Sequence, residues 1–152
     1  MDLNINNEFD MKDFGQTVGA LLSGGEIIEL IGDVGAGKTT FVKGLAVGLG
    51  IDENIQSPSF TINRVYEGRD NLILSHYDFY RLGDVGIMAN ELAEVISKEN
   101  IVTVIEWAEL VSDILPVDRL SIKITSPTEN SRQLVIDSGG EKSDKIKEKL
   151  VL

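Results

Sequence analysis

Cysteine is absent from the 152 residues of this sequence, which excludes disulfide bonds and thiolate metal sites. Long apolar runs are absent as well, and none approaches the roughly 20 residues that a membrane-spanning helix needs. The first residues, MDLNINNEFD, are polar and acidic and lack the apolar segment of a signal peptide. We therefore expect a cytoplasmic protein with no membrane segment.

Positive charge is scarce, with 14 Lys and Arg residues against 25 Asp and Glu residues and a net charge of −11. Proteins that bind nucleic acid usually present a basic face, which displaces counterions from the phosphates. The only cluster of basic residues lies in the tail, Lys142 to Lys149, where acidic residues are interspersed. We expect no direct nucleic acid binding, and a partner surface that is a basic patch on another protein.

The chain is long enough to bury a core, and 42% of its residues are hydrophobic. It contains no internal repeat and no linker long enough to divide it. We therefore predict a single domain over residues 1–152, with a charged tail from about residue 141. Ile146 and Leu150 lie one helical turn apart in that tail, which predicts at best a weak helix.

A glycine-rich turn between an apolar run and a helical pattern is the most informative stretch. The run Ile27–Ile31 predicts a buried strand, and residues 41–49 have apolar side chains at helical spacing before Gly50. Between them, Gly32, Gly37, Lys38 and Thr39 match the pattern GxxxxGK[ST]. This context of strand, loop and helix indicates a phosphate-binding loop rather than a chance match.

Each residue type in this glycine-rich loop suits the binding of ATP or ADP with Mg²⁺. Glycines let backbone N–H groups turn inward, and the following helix N-terminus adds more donors for an anion. Lys38 can reach the β- and γ-phosphates, and the Thr39 hydroxyl can ligate Mg²⁺. The candidate nucleotide-binding residues are Gly32, Asp33, Val34, Gly35, Ala36, Gly37, Lys38, Thr39 and Thr40.

The remaining patterns predict an α/β protein with both parallel and antiparallel strands. The β-branched run Ile101–Ile105 predicts a buried parallel strand, and residues 60–77 predict a β-hairpin. A second antiparallel pair is predicted around residues 120–124 and 134–136. Helices are predicted after Asp10, as a candidate cap, and over Asp84 to Lys98.

Two acidic residues are candidates for the metal shell. Glu106 follows the run Ile101–Ile105, and the ends of parallel strands gather at the edge that carries the loop. The alternative for Glu106 is a solvated strand-end carboxylate. Asp78 follows another strand; it either ligates Mg²⁺ through water, orients the attacking water, or simply caps a turn.

Four further residues have less specific patterns. Ser57 and Ser59 are hydroxyls after the loop helix, where switch segments sense a γ-phosphate, although a Ser-Pro turn explains them nearly as well. His76 is the only histidine, and a packed or exposed ring is a commoner role than catalysis. Trp107 is the only tryptophan, and core packing or a partner contact is favoured over base stacking.

Five short motifs follow one another along the chain: GDVGAGKTT (Gly32–Thr40), SPSF (Ser57–Phe60), HYDFYRL (His76–Leu82), IEW (Ile105–Trp107) and ILP (Ile114–Pro116). In this order and spacing they resemble the TsaE family, bacterial P-loop ATPases required for threonylcarbamoyladenosine formation in tRNA. The resemblance extends from Glu8 to about Ile136. It implies a P-loop NTPase-like fold, a central mixed sheet flanked by helices with β-hairpin additions.

The resemblance also implies roles for particular residues. Thr39 and Glu106 are implied as Mg²⁺ ligands, and Asp78 is implied near the γ-phosphate. Residues around Phe9 to Met11 are implied beside the adenine, and Arg132 near the nucleotide. The implied partners are TsaD, the threonylcarbamoyl transferase, and its companion TsaB; the ATPase acts on their complex and does not itself modify tRNA.

Two other functions compete with this partner-dependent ATPase. A small-molecule kinase also uses a phosphate loop, but it needs an acceptor pocket and usually a lid with clustered arginines. The arginines here are scattered, which argues against it. A nucleotide-gated binding module without significant turnover is the second alternative, and the pair Asp78 and Glu106 favours hydrolysis over it.

Overall fold

Strands and helices alternate along most of the chain. The computed structural model describes residues 1–58, 62–80 and 86–151. The strands are β1 (Asp2–Ile5), β2 (Ile27–Ile31), β3 (Asn63–Glu67), β4 (Ile73–Asp78), β5 (Ile101–Glu106), β6 (Leu120–Thr125) and β7 (Arg132–Ser138). The α-helices are α1 (Glu8–Leu21), α2 (Lys38–Gly48), α3 (Ile87–Ile96) and α4 (Glu141–Val151), with 3₁₀ helices at Arg69–Asn71 and Ala108–Val111. In the described ranges, no helix has the length and apolar character needed to cross a membrane.

The strands form one mixed sheet in the order β1-β7-β6-β2-β5-β4-β3. The central strand β2 is parallel to β5 and β6, and β4 is parallel to β5. The pairs β3–β4, β6–β7 and β1–β7 are antiparallel. The predicted parallel strand, the hairpin and the second antiparallel pair are therefore confirmed. Every residue of β5 is buried, as expected for a strand covered on both faces.

The two faces of the sheet carry different helices. Helices α1, α2 and α4 contribute to the larger core on one face, together with side chains such as Leu30, Val104 and Ile122. Helix α3 and the segment from Ala108 to Leu115 form the smaller core on the other face, against Tyr77 and Ile105. The end of β2 and the start of α2 therefore lie at the edge of the larger core.

Helix α1 contacts α2 through glycines on both helices. A Cβ on Gly15 would overlap the Phe41 carbonyl oxygen, and one on Gly44 would overlap the Lys12 carbonyl oxygen. Gly19 and Gly48 meet backbone atoms of the opposite helix in the same way. The two helix backbones approach closely because these positions lack side chains. This contact fixes α1 beside the helix that follows the glycine-rich loop.

Two predicted helix starts need correction. Asn7, not Asp10, caps α1, because the Asn7 Oδ1 accepts a hydrogen bond of 2.8 Å from the Asp10 N–H. Both residues are good caps, and only the backbone direction before Glu8 decides between them. Helix α3 is shorter than the predicted span of Asp84 to Lys98, and Asp84 lies outside the described residues.

The prediction that the tail is at best a weak helix is wrong, because α4 is anchored by tertiary contacts. Its Ile146 is 4% exposed and belongs to the larger core. Asp118, before β6, accepts bonds of 3.0 Å from the N–H groups of Lys142 and Ser143 and one of 2.7 Å from the Ser143 hydroxyl. A cap supplied by a residue distant in sequence cannot be recognised from the tail alone.

We predict that Gly44→Ala destabilises the protein by about 1–3 kcal/mol, because the added methyl group forces α1 away from α2. Chemical denaturation measures the change in the free energy of unfolding. Val47→Ala is the matched control, since Val47 lies on the exposed side of the same helix and is 45% exposed. Equal stability of Gly44→Ala and Val47→Ala would contradict the close contact.

We predict that Asp118→Ala costs about 1 kcal/mol at pH 7, the usual effect of losing a helix cap. Burial alone would raise the pKa of the Asp118 carboxyl, but the bonds from Ser143 and Lys142 lower it below its ordinary value of 3.8. A carboxyl with a lowered pKa stabilises the fold above its unfolded pKa, and this contribution disappears as pH falls through the folded pKa. Denaturation at pH 7 and pH 3 should show a smaller difference from wild type at pH 3; a pH-independent difference would argue against the charged cap.

Candidate functional site

The glycine-rich loop connects β2 to α2 in a conformation that depends on glycine. Gly35 and Gly37 have φ angles of 83° and 108°, which side-chain-bearing residues rarely adopt. The Ala36 N–H bonds to the Asp33 carbonyl at 3.0 Å and closes the turn. Helix α2 starts at Lys38 with no side-chain cap on its first turn. Its leading N–H groups are the kind of donors that bind an anion.

Lys38 is buried at the base of this loop, with 7% of its surface exposed. Its Nζ donates to the Gly32 carbonyl oxygen at 2.6 Å and lies 3.6 Å from the Glu106 Oε1. The Nζ also lies 4.6 Å from the centre of the Trp107 ring. A carboxylate, a carbonyl and an aromatic face thus compensate the buried ammonium.

Glu106 ends β5 and is 4% exposed, so the alternative of a solvated strand-end carboxylate is wrong. Its Oε2 lies 2.6 Å from the His76 Nε2, and its Oε1 faces Lys38. In the parallel register, Glu106 lies opposite Asp78 of β4 and Leu30 of β2. Parallel pairing therefore brings both candidate acids to the edge that carries the glycine-rich loop.

Asp78 does cap a turn, which was one of the roles considered for it. Its Oδ1 accepts a hydrogen bond of 2.9 Å from the Tyr80 N–H. The residue is also 4% exposed and lies directly beside the end of β5. Its role toward a metal or a water molecule stays a prediction.

A pocket of about 250 Å³ brings the candidate catalytic and metal residues together. It is lined by Val34, Gly35, Gly37, Lys38, Thr39, Thr40, Ser57, Asp78, Tyr80, Glu106 and Trp107. Across the described parts of the chain, no group of three or more His, Asp or Glu side chains could hold a metal by itself. The oxygens of Thr39, Asp78 and Glu106 are the kind that Mg²⁺ takes together with phosphates and water.

A second pocket, of about 320 Å³, lies on the other side of the loop. It is lined by Asn7, Glu8, Met11, Gly35, Gly37, Thr40, Glu129, Asn130 and Arg132. Met11 lines it, whereas Phe9 is 81% exposed and does not. Arg132 donates to the Ala36 carbonyl at 2.8 Å and to the Glu129 carbonyl at 3.0 Å, so it also braces the loop.

Sequence reasoning missed the contacts of His76 and Trp107 with the candidate site. His76 is completely buried and touches Glu106, and Trp107 has a left-handed backbone with φ 57°. The Trp107 ring contacts both the Lys38 ammonium and the Tyr80 ring, whose centre is 4.8 Å from that of Trp107. Each is the only residue of its type and lies within two residues of a candidate acid. This is a weak signal, and only the pairing of β4 with β5 shows that the residues meet.

Part of the predicted switch region lies outside the described residues. This applies to Ser59 and Phe60 of the second motif and to Arg81 and Leu82 of the third. Ser57 is described and lines the pocket that contains the candidate acids.

The mixed sheet, with a glycine-rich loop between a central parallel strand and a helix, defines a P-loop NTPase-like α/β protein. A family model described as "Threonylcarbamoyl adenosine biosynthesis protein TsaE" matches residues 5–134. The chain belongs to the TsaE family, which confirms the resemblance of its motifs.

Relatives and a solved structure agree with this assignment. The tRNA threonylcarbamoyladenosine biosynthesis protein TsaE of Treponema pallidum is 41% identical over 127 residues, 84% of this chain and 93% of the relative. The protein of the same name from Bacillus subtilis is 35% identical over 145 residues, 95% of this chain and 89% of the relative. The crystal structure of Bacillus subtilis YdiB matches with a TM-score of 0.84 and 33% identity, and the match covers 99% of this chain and 93% of that one.

Proposed function

We propose that this chain is a Mg²⁺-dependent cytoplasmic ATPase in the synthesis of threonylcarbamoyladenosine on tRNA, and that it acts on the TsaD–TsaB complex rather than on tRNA. The observation that carries the proposal is the pocket beside the glycine-rich loop, where Lys38, Thr39, Asp78 and Glu106 converge. The names of the relatives support the pathway.

The loop and its two adjoining pockets fit ATP or ADP. The uncapped start of α2 and the Lys38 ammonium suit the phosphates, since both attract negative charge. The pocket on the other side, with Met11 and Arg132, is assigned to the base and ribose. Thr40 lines both pockets, which supports one continuous ligand across the loop.

Three oxygen-bearing side chains fit Mg²⁺ in this pocket: Thr39 and Glu106 as ligands, and Asp78 as a ligand through water or as the residue that orients the attacking water. When bound, Mg²⁺ neutralises charge on the phosphate oxygens. The buried position of Glu106 supports this assignment, because a carboxylate that is 4% exposed is costly unless cations compensate it. Lys38 supplies part of that compensation in this structure.

Water is the proposed acceptor of the phosphoryl group, so that ATP and water give ADP and phosphate. The described lining of the pocket next to Lys38 consists of the loop, two acids, two aromatic rings and Ser57, which supports hydrolysis over a small-molecule kinase. Asp78 and Glu106 in one pocket support turnover over a binding module without hydrolysis.

A partner is proposed to complete this site. Arg132 is the one arginine among the described residues lining either pocket beside the loop, and its Nε and Nη1 already donate to backbone carbonyls, including that of Ala36 in the loop. An arginine that stabilises the transition state adds about 10³–10⁵ in rate where it exists. Val34 and Tyr80, at the pocket, are 71% and 49% exposed, which suits a protein contact. We therefore propose slow hydrolysis by the isolated chain and faster hydrolysis in the complex.

We predict that Lys38→Ala weakens ATP binding about 10- to 100-fold, since a charge-assisted contact contributes roughly 1.5–3 kcal/mol. Titration calorimetry measures the affinity, and circular dichroism checks that the variant is folded. Lys43→Ala is the matched control, because Lys43 lies on α2 with its side chain exposed. Wild-type affinity in Lys38→Ala would refute the proposed phosphate site.

We also predict that ATP and ADP support binding to TsaD–TsaB to different degrees. A nucleotide can change the affinity for the partners only if it binds the free chain and the partner-bound chain with different affinities. The test measures partner affinity with a non-hydrolysable ATP analogue, with ADP and without nucleotide, and the ATPase rate with and without partners. Equal affinities in all three conditions, with an unchanged rate, would refute the partner-dependent ATPase and favour the kinase.

A further inference from the structure

The buried pair His76 and Glu106 connects the core to the candidate site. Alternate residues of β4, Leu74, His76 and Asp78, lie on the face that carries the larger core, because strand side chains alternate between faces. Glu106 lies on the same face of the neighbouring strand, following Val102 and Val104. The two side chains therefore meet beneath the loop, with 0% and 4% of their surfaces exposed.

The hydrogen bond between them has a defined direction. The His76 Nδ1 is buried and has no hydrogen-bond partner among the described residues, whereas Nε2 lies 2.6 Å from the Glu106 Oε2. A neutral imidazole carries one proton, and the carboxylate can only accept. We assign the proton to Nε2 from these partners, so that His76 donates to Glu106.

This bond divides the two oxygens of Glu106 between different tasks. Oε2 is held by His76 from the core side, and Oε1 is directed toward Lys38, 3.6 Å from its Nζ. A glutamate side chain without this anchor can rotate about its terminal bonds and present either oxygen. The anchor leaves one oxygen for the loop side of the pocket.

We infer that His76 is a positioning residue: it fixes the Glu106 carboxylate so that Oε1 faces the Mg²⁺–nucleotide site. The inference rests on the proposed function and adds a residue to it. Core packing alone does not account for a histidine at this position. Its buried Nδ1 has no hydrogen-bond partner among the described residues, which costs free energy, whereas an apolar side chain would fill the same space without that cost. Partners behind a metal ligand typically change metal affinity 10- to 100-fold when removed.

The first test uses the fact that His76 is the only histidine. In protein labelled with ¹⁵N, the long-range ¹H–¹⁵N spectrum of the ring shows which nitrogen carries the proton, without any nucleotide. We expect the Nε2–H form in the wild type and a shifted Nε2 signal in Glu106→Gln, because the charged acceptor is lost. A ring with no proton on Nε2, or a spectrum that does not respond to Glu106→Gln, would overturn the inference.

The second test compares two amides at position 76. The Gln amide reaches the position of Nε2 and can still donate to Glu106, whereas the shorter Asn amide reaches only the position of Nδ1. Affinity for an ATP analogue is measured with Mg²⁺ and with EDTA, by calorimetry. Mg²⁺ should raise the affinity of the wild type for the analogue, and we expect this increase to be about 10- to 100-fold smaller in His76→Asn. The affinity of His76→Asn in EDTA should be unchanged. His76→Gln should keep most of the increase.

Leu74→Ala provides the structural control, because Leu74 is buried on the same face of β4 and belongs to the core. We expect a lower melting temperature and a normal response to Mg²⁺. If His76→Asn behaves like Leu74→Ala, the role of His76 is structural and the inference is wrong. If His76→Asn does not fold, His76→Gln decides: a lost Mg²⁺ response in that folded variant would likewise overturn the inference.

The two proposals fail in different ways. A wild-type protein that binds no nucleotide refutes the proposed function and this inference together. A wild-type protein that binds nucleotide with Mg²⁺, while His76→Asn responds to Mg²⁺ in the same way, refutes only the role of His76. In the double variant His76→Asn with Glu106→Gln, we expect no loss beyond that of Glu106→Gln alone, since His76 acts through Glu106; additive losses would contradict this.

Discussion

Parallel pairing of β2, β5 and β4 is the constraint on which the site depends. It aligns the carboxyl ends of three strands, so that Glu106 lies beside Leu30 and Asp78 in neighbouring positions. The loop then leaves β2 at the same edge and returns through α2. A shift of one residue would turn Glu106 to the opposite face and break its contacts with Lys38 and His76. Because both faces of β5 are buried, such a shift would leave the Glu106 carboxylate buried without its present partners, which is costly.

Burial makes Lys38, Glu106 and His76 depend on one another for compensation of their charged and polar groups. Lys38, Glu106 and His76 are each less than a tenth exposed; Glu106 forms an ion pair with Lys38 and a hydrogen bond with His76. Removing one member leaves the others buried without compensation, which is why effects on stability and on binding must be measured separately here. A bound phosphate would compete with Glu106 and the Gly32 carbonyl for the Lys38 ammonium. Under the proposed function, nucleotide binding would therefore be coupled to rearrangement of this cluster.

Helix α1 belongs to the same arrangement, although its sequence carries no obvious chemistry. Its glycines let it lie against α2 at backbone distance, and this brings Met11 to the pocket beside the loop. Gly15 and Gly19 are four residues apart, as are Gly44 and Gly48, so the signal was present in the sequence. It could not be interpreted there, because nothing along the chain shows which two helices face each other. Arg132 is similar: its position against the loop depends on the pairing of β7 with β6.

The sequence by itself determined the loop, the strands with strong apolar patterns and the family, because these depend on residues close together in the chain. GxxxxGK[ST] between a strand and a helix is a local pattern, and so is the β-branched run before Glu106. Tertiary structure alone decided that Glu106 is buried, that His76 holds it and that Asp118 caps α4. The two contacts join residues 30 and 25 positions apart, and their energy depends on excluding water between elements that meet only when the sheet closes.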